Sequence, residues 1–215
     1  MFVEKWMTGF PVTLTPEMTI SSAALKMSRY SFRHIPVVKT DSTGHTLVGM
    51  ISKYDLARAF PKNLNPFSVE VSAESVPTPV SANMTRDIVT VTPDCAIEKA
   101  AWLLRERRIN ALPVLRRERL VGIITESDIF AALLNMSGAT KGGFKIALEC
   151  ESMKNPVLEL AEASERNNVC IQSLASFPDP KSQNITETVL HLTHRPSSTF
   201  VDELAKLGFR VRMMS

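Results

Sequence analysis

Glycine is scarce in this chain, 8 residues in 215, and none stands in the spacing of a dinucleotide loop or a phosphate-cradling loop. Histidine is scarcer. The four histidines, His34, His45, His191 and His194, make no HExxH pair, and no serine sits in a GxSxG elbow. A hydrolase or transferase activity therefore has no support, and the chain reads as non-catalytic with no required cofactor. His191 and His194 could share a metal, but two ordinary histidines at a strand end are the favoured reading, and no metal site is expected.

Cysteine is limited to Cys95, Cys150 and Cys170, an odd number, far apart and outside any CxxC cluster. They read as reduced core residues. No apolar run reaches the roughly 18 to 20 residues that a bilayer crossing needs, and the first ten residues lack the make-up of a secretion signal. The expectation is a cytoplasmic protein with no membrane partner. The net charge is only +3, so nucleic-acid binding is not indicated by charge alone. Six arginines do fall between Arg105 and Arg119, but Glu106 and Glu118 interleave with them, as on a solvated helix end and hairpin turn.

What the sequence does contain is a duplication. Residues 7–38 match residues 84–115 at a constant offset of 77: Met7-Thr8 falls on Met84-Thr85, Thr15-Pro16 on Thr92-Pro93, and Pro36-Val37 on Pro113-Val114. The offset then drops to 73, so that Leu47-Val48-Gly49 meets Leu120-Val121-Gly122 and Asp55 meets Asp128. Two copies of one unit imply two apolar faces that bury each other.

Each copy reads as strand, helix, strand, strand, helix. The expected first strands are residues 12–15 and 89–92, each running into a proline. Ile20, Ala23, Ala24 and Met27, matched by Ile97, Ala100, Ala101 and Leu104, keep helical spacing. Hairpins follow over 34–39 and 47–51, and over 111–116 and 120–124; helices are expected over 54–60 and 127–135. Residues 61–82, with four prolines, read as an irregular crossover.

Each hairpin ends in Gly-hydrophobic-Ile-Ser/Thr-x-x-Asp: GMISKYD over 49–55 and GIITESD over 122–128. One reading is a capping box, in which Ser52 or Thr125 caps a helix and the acid three residues on binds back. A second reading uses the same geometry for a ligand. Free amides at a helix start attract phosphate, and an aspartate one turn in can accept from two ribose hydroxyls.

These elements, twice and in order, resemble the CBS (cystathionine-β-synthase) domain family over residues 1 to about 137. The resemblance implies an α/β (α+β) fold with repeat 1 over 1–60, the crossover over 61–82 and repeat 2 over 83–137, packed as a pseudo-two-fold pair. It also implies a regulatory role, with AMP, ADP, ATP, NAD or S-adenosylmethionine held in clefts between the copies. Carried over by position, one cleft would combine Asp55 and Ser52 with Val89, Thr90, Ile109 and Asn110. The other would combine Asp128 and Thr125 with Val12, Thr13, Phe32 and Arg33. Basic residues ahead of the hairpin proline often accompany phosphorylated ligands in the family, which implies that Arg33 and His34 favour the Asp55 cleft.

After a hinge over 138–143, the pattern becomes βαββαβ over 144–215, with helices at 156–166 and 198–207. That order resembles the ACT domain, a regulatory module that pairs across dimers and often binds amino acids. Here Pro156 is followed by Val157 where the family usually has Pro-Gly, so a homodimerisation role is expected ahead of an amino-acid site. The CBS-CBS-ACT order resembles bacterial proteins of the acetoin-utilisation B type. The regulated partner is not legible, and the alternatives are a purely structural assembly role with empty clefts or an amino-acid sensor acting through the ACT-like domain.

Overall fold

The computed structural model describes every residue except Thr43, residues 69–70, Ala139, Lys141, residues 152–155 and Ser215; of Gln183, Met213 and Met214 only the backbone is described. The chain divides into two compact units, Met1–Phe130 and Ala131–Ser215. Two expected features touch the undescribed residues. The 138–143 hinge is described only in part, and the turn from the first strand to the first helix of the C-terminal unit lies outside the described residues.

In the first unit, β1 (Thr8–Gly9), α1 (Ile20–Arg29), β2 (His34–Asp41), β3 (Gly44–Ser52) and α2 (Lys53–Ala59) form one repeat. The second comprises α3 (Ile97–Arg107), β4 (Ala111–Arg116), β5 (Arg119–Thr125) and α4 (Glu126–Met136), the last running past the division between units. The periodicity of α1 is realised in its packing: Ile20, Ala23, Ala24 and Met27 are all buried, and Thr19 caps the helix by accepting from Ser22 N at 3.1 Å. In α3 the matching Ile97, Ala100 and Leu104 are buried.

The duplication is visible bond by bond. Val80 N donates to Met18 O at 2.7 Å, and its counterpart Val3 N donates to Cys95 O at 2.9 Å. Ile20 N reaches Thr78 O and Ile97 N reaches Met1 O, both at 2.9 Å. Each repeat's lead-in segment thus closes the helix start of the other repeat. The crossover is irregular, as expected, yet it is no free tether: Val71, Val76 and Val80 belong to the first repeat's core with Leu14, Ile35, Ile51 and Leu56.

The expected first strands are a correction. Only Leu14 and Val91 pair, as single parallel bridges to Val37 and Val114. Leu14 N donates to Pro36 O at 3.0 Å and Val38 N donates to Leu14 O at 2.8 Å; Val91 repeats this with Pro113 and Leu115. The next rung would need an N–H at position 36 or 113, and proline has none. The ladder stops after one residue, and the carbonyls of Val12 and Val89 stay out of it.

Gly49 and Gly122 let the repeats close. A Cβ on Gly49 would overlap only the Met84 side chain, whereas one on Gly122 would stand 2.5 Å from Met7 Sδ and 3.1 Å from the backbone oxygen of Thr8. A methionine can swing aside; a paired backbone cannot.

The C-terminal unit comprises β6 (Phe144–Glu151), α5 (Pro156–Arg166), β7 (Ile171–Asp179), β8 (Ser182–Leu192), α6 (Ser198–Lys206) and β9 (Arg210–Met214). The antiparallel sheet runs β7-β8-β6-β9, so the βαββαβ order read from the sequence is the order observed. Its core gathers Ile146, Leu148, Leu190, Leu192, Phe200 and Leu204. Two expectations fail here and nearby. Cys170 is exposed and Cys95 half-buried, leaving Cys150 as the one core cysteine, because position 170 precedes β7 rather than lying within it.

Two stability predictions follow from these packings. Gly122→Ala should cost about 1–3 kcal/mol in denaturant unfolding, only partly relieved by Met7→Ala because the Thr8 backbone oxygen stays close, while Met84→Ala should relieve most of the cost of Gly49→Ala. Phe200→Ala should cost about 3–5 kcal/mol in the C-terminal unit, read by amide exchange along β6 and β8.

Candidate ligand-binding clefts

The first hairpin motif forms a full capping box, and the second shows the same bonds from the cap residue to the aspartate. Ser52 N and Oγ donate to Asp55 Oδ2 at 2.8 and 2.6 Å, and Asp55 N returns a bond to Ser52 Oγ at 3.2 Å. Thr125 N and Oγ1 donate to Asp128 Oδ2 at 2.8 and 2.7 Å. In each carboxylate the cap occupies one oxygen. The other, Oδ1, has no partner among the described residues, so each cap leaves one acceptor oxygen of the carboxylate uncommitted.

Each aspartate lines a cleft between the repeats. The Asp128 cleft, about 340 Å³, includes Thr125, Val12, Phe32, Arg33 and His34. The Asp55 cleft, about 240 Å³, includes Ser52, Val89, Ile109, Asn110 and again His34. Most of the residues expected together are brought together. Thr13 and Thr90 are not: the Thr13 carbonyl accepts from Lys26 Nζ at 3.2 Å, and Thr90 faces a separate cavity beside α3.

The assignment of the basic pair is corrected. Arg33 lines the Asp128 cleft and not the Asp55 cleft, while His34 and Asn110 line both. The reason is the crossing of repeats. Residues just ahead of a hairpin proline reach the cleft of the opposite repeat's aspartate; His34 and Asn110 border their own repeat's cleft as well, whereas Arg33 lines only that of Asp128.

His34 is held below the usual histidine range of 6.5, first by burial and then by the Arg33 charge, with Asp55 and Glu126 pulling the other way. Asn110 is fixed by a 2.7 Å bond from its Nδ2 to Glu126 Oε2.

Several lining residues were missed in the sequence. The Asp128 cleft also has Thr8, Phe10, Pro11, Ser31 and Ile123; the Asp55 cleft also has Met50, Thr85, Asp87, Ile88 and Arg108. Phe10 is 95% exposed and holds a positive φ of 47°, an uncommon conformation for an aromatic residue. The same offsets could have found them: Thr8 pairs with Thr85, Phe10 with Asp87, Ser31 with Arg108, and Ile123 with Met50.

Elsewhere, His191 is buried against Gly138 and Gly143, and no cluster of metal-ligating side chains occurs among the described residues. Nor is any helix among them long and apolar enough to cross a membrane. Of the arginine cluster, Arg116 and Arg119 form ion pairs with Glu4 at 3.6 Å and Asp41 at 3.0 Å.

Comparison with known proteins follows the same division. The CBS domain description matches residues 3–62 and 79–135. A solved acetoin utilization protein (AcuB) of Vibrio cholerae is 30% identical, with a TM-score of 0.53, covering 66% of this chain and 98% of that one. The CBS domain pair of protein MJ0100, solved with 5′-methylthioadenosine and S-adenosyl-L-methionine, is 26% identical (TM-score 0.51; 62% and 99% covered). CBSX2 in complex with AMP is also 26% identical (TM-score 0.52; 62% and 96% covered). By contrast, this chain spans about a fifth (21%) of the homoserine O-acetyltransferase of Methanohalobium evestigatum, which it matches at 30% over 118 residues, 54% of this chain. With two matched copies sharing one exchanged interface, the chain belongs to the CBS domain family as a tandem pair.

Proposed function

We propose that this chain is a non-catalytic regulatory module that senses an adenosyl ligand in the clefts between its CBS repeats, with the Asp128 cleft as the main nucleotide site. The observation that carries this reading is the composition of that cleft. Asp128 keeps one carboxylate oxygen outside the capping box, Phe10 and Phe32 offer ring faces, and Arg33 offers a cation. Those groups suit a ribose, a base and a phosphate respectively. The carbonyl of Val12, kept out of the ladder by Pro36, is an acceptor fit for an adenine amino group. The ligands held by MJ0100 and CBSX2 belong to the same chemical class.

In this reading the ligand bridges two repeats and favours one relative arrangement of them. The C-terminal βαββαβ unit is an ACT-like dimerisation module of a cytoplasmic homodimer. It passes the state of the clefts to a partner protein.

Calorimetric titration with AMP tests the site. Asp128→Ala should weaken AMP binding by tenfold or more and Asp55→Ala by much less, with unfolding midpoints measured alongside because each substitution also removes a cap. Equal losses, or none, would defeat the assignment.

The histidine gives a second test. Because the folded His34 sits below 6.5, the unfolded chain binds the extra proton first as pH falls, so stability from neutral His34 is complete above that value and is lost below it. A phosphate nearby rewards the protonated ring. AMP affinity should therefore rise from pH 7.5 to 6 relative to that of adenosine, and His34→Gln should abolish the difference.

A further inference from the structure

The two clefts are built on one scaffold by the same duplicated residues, so their differences isolate what each would select. At the twin positions 10 and 87, the Asp128 cleft has an exposed phenylalanine and the Asp55 cleft a carboxylate. Arg33, in the Asp128 cleft, has Asn110 as its twin; Ser31 there has Arg108, in the Asp55 cleft, as its own. Formal charges then differ in arrangement as well as in sum. The Asp128 cleft sets Arg33 against one carboxylate, whereas the Asp55 cleft has two carboxylates, Asp55 and Asp87, against Arg108, with His34 common to both. The remaining wall of the Asp55 cleft is apolar and polarisable: Met50, Ile88, Val89, Ile109 and Ala111.

Resting on the proposed function, we infer that the two clefts sort adenosyl ligands by charge, with Asp87 the residue that turns the Asp55 cleft toward a cationic adenosyl sulfonium and away from a phosphate. A phosphate monoester brings about −1.5 to −2 charges at neutral pH. An adenosyl amino-acid sulfonium brings two positive groups against one carboxylate. Placed beside Asp55 and Asp87, the first is repelled and the second attracted; beside Arg33, with Phe10 at the mouth, the order reverses. Asp87 is exposed and solvent screens its charge, so the effect is several-fold rather than a thousandfold. Asp87 touches the cleft without taking part in a helix cap, unlike Asp55, which makes it separable from folding.

The test uses the full chain, with S-adenosylmethionine and AMP as probes in calorimetry, singly and in competition. S-Adenosylmethionine should still bind at one site per chain when AMP saturates the Asp128 cleft, and that binding should be lost in Asp55→Ala but kept in Asp128→Ala. Asp87→Asn, nearly isosteric, should weaken S-adenosylmethionine about three- to tenfold and strengthen AMP at the Asp55 cleft by a similar factor. Raising the salt concentration should shrink both changes. If AMP and S-adenosylmethionine displace each other completely from a single site, or Asp87→Asn shifts both in the same direction, the sorting is refuted while the sensing function stands. If neither probe binds the folded protein, the sensing function falls as well.

Discussion

The reciprocal closure of each repeat by the other's lead-in segment is the constraint on which the rest of the first unit depends. The backbone amides of Val3 and Val80 donate across it to the carbonyls of Cys95 and Met18, and both valines are fully buried. A buried backbone group without a partner costs about 1–3 kcal/mol, so neither helix start is complete without a segment from elsewhere in the chain. This exchange places β1 beside β5, where Thr8 and Gly9 face Ile123 and Gly122, and so brings residues 8–12 over the Asp128 cap. Cleft geometry is thus a consequence of how the core closes.

Proline at the start of each hairpin does a second job in the same design. By denying one N–H, Pro36 and Pro113 end a parallel ladder that sequence propensity alone would have extended. The cost is one short strand per repeat. The result is a stretch of extended backbone that remains outside the sheet while held beside it, next to the aspartate of the other repeat.

Much of this was legible in the sequence because a duplication supplies an internal alignment. The offsets of 77 and 73 located both hairpins, both capped helices and both aspartates, and the βαββαβ order of the C-terminal unit emerged from periodicity; α5 spans Pro156–Arg166, matching the spacing of its apolar residues. Crossing was legible only through the family resemblance, which set Arg33 beside the opposite repeat's Asp128. That reading still credits the charge of the basic pair to the Asp55 cleft, because no local pattern encodes which repeat's aspartate a residue faces in space. The role of Phe10 was hidden for another reason: an exposed aromatic in a left-handed conformation has no periodic signature, and only the cleft gives it a context. Cys170 failed because β-prone residues around it implied burial, whereas the strand begins one residue later.

Duplication also explains why the two clefts are not independent in this architecture. His34 and Asn110 are borders of both, and Asn110 is tied to Glu126 on the helix that carries Asp128. A ligand that moves His34, or changes its charge, alters the wall of the neighbouring cleft without any longer-range rearrangement. Coupling of this kind is reciprocal by linkage: whatever the occupant of one cleft does to the affinity of the other, the second does equally to the first. Under the proposed function, the occupant of one cleft would therefore help set the affinity of the other. On that reading the preserved residues, Asp55 with Asp128 and Ser52 with Thr125, would hold what the ligands have in common, and the diverged pairs, Phe10 with Asp87 and Arg33 with Asn110, would set the difference between the clefts.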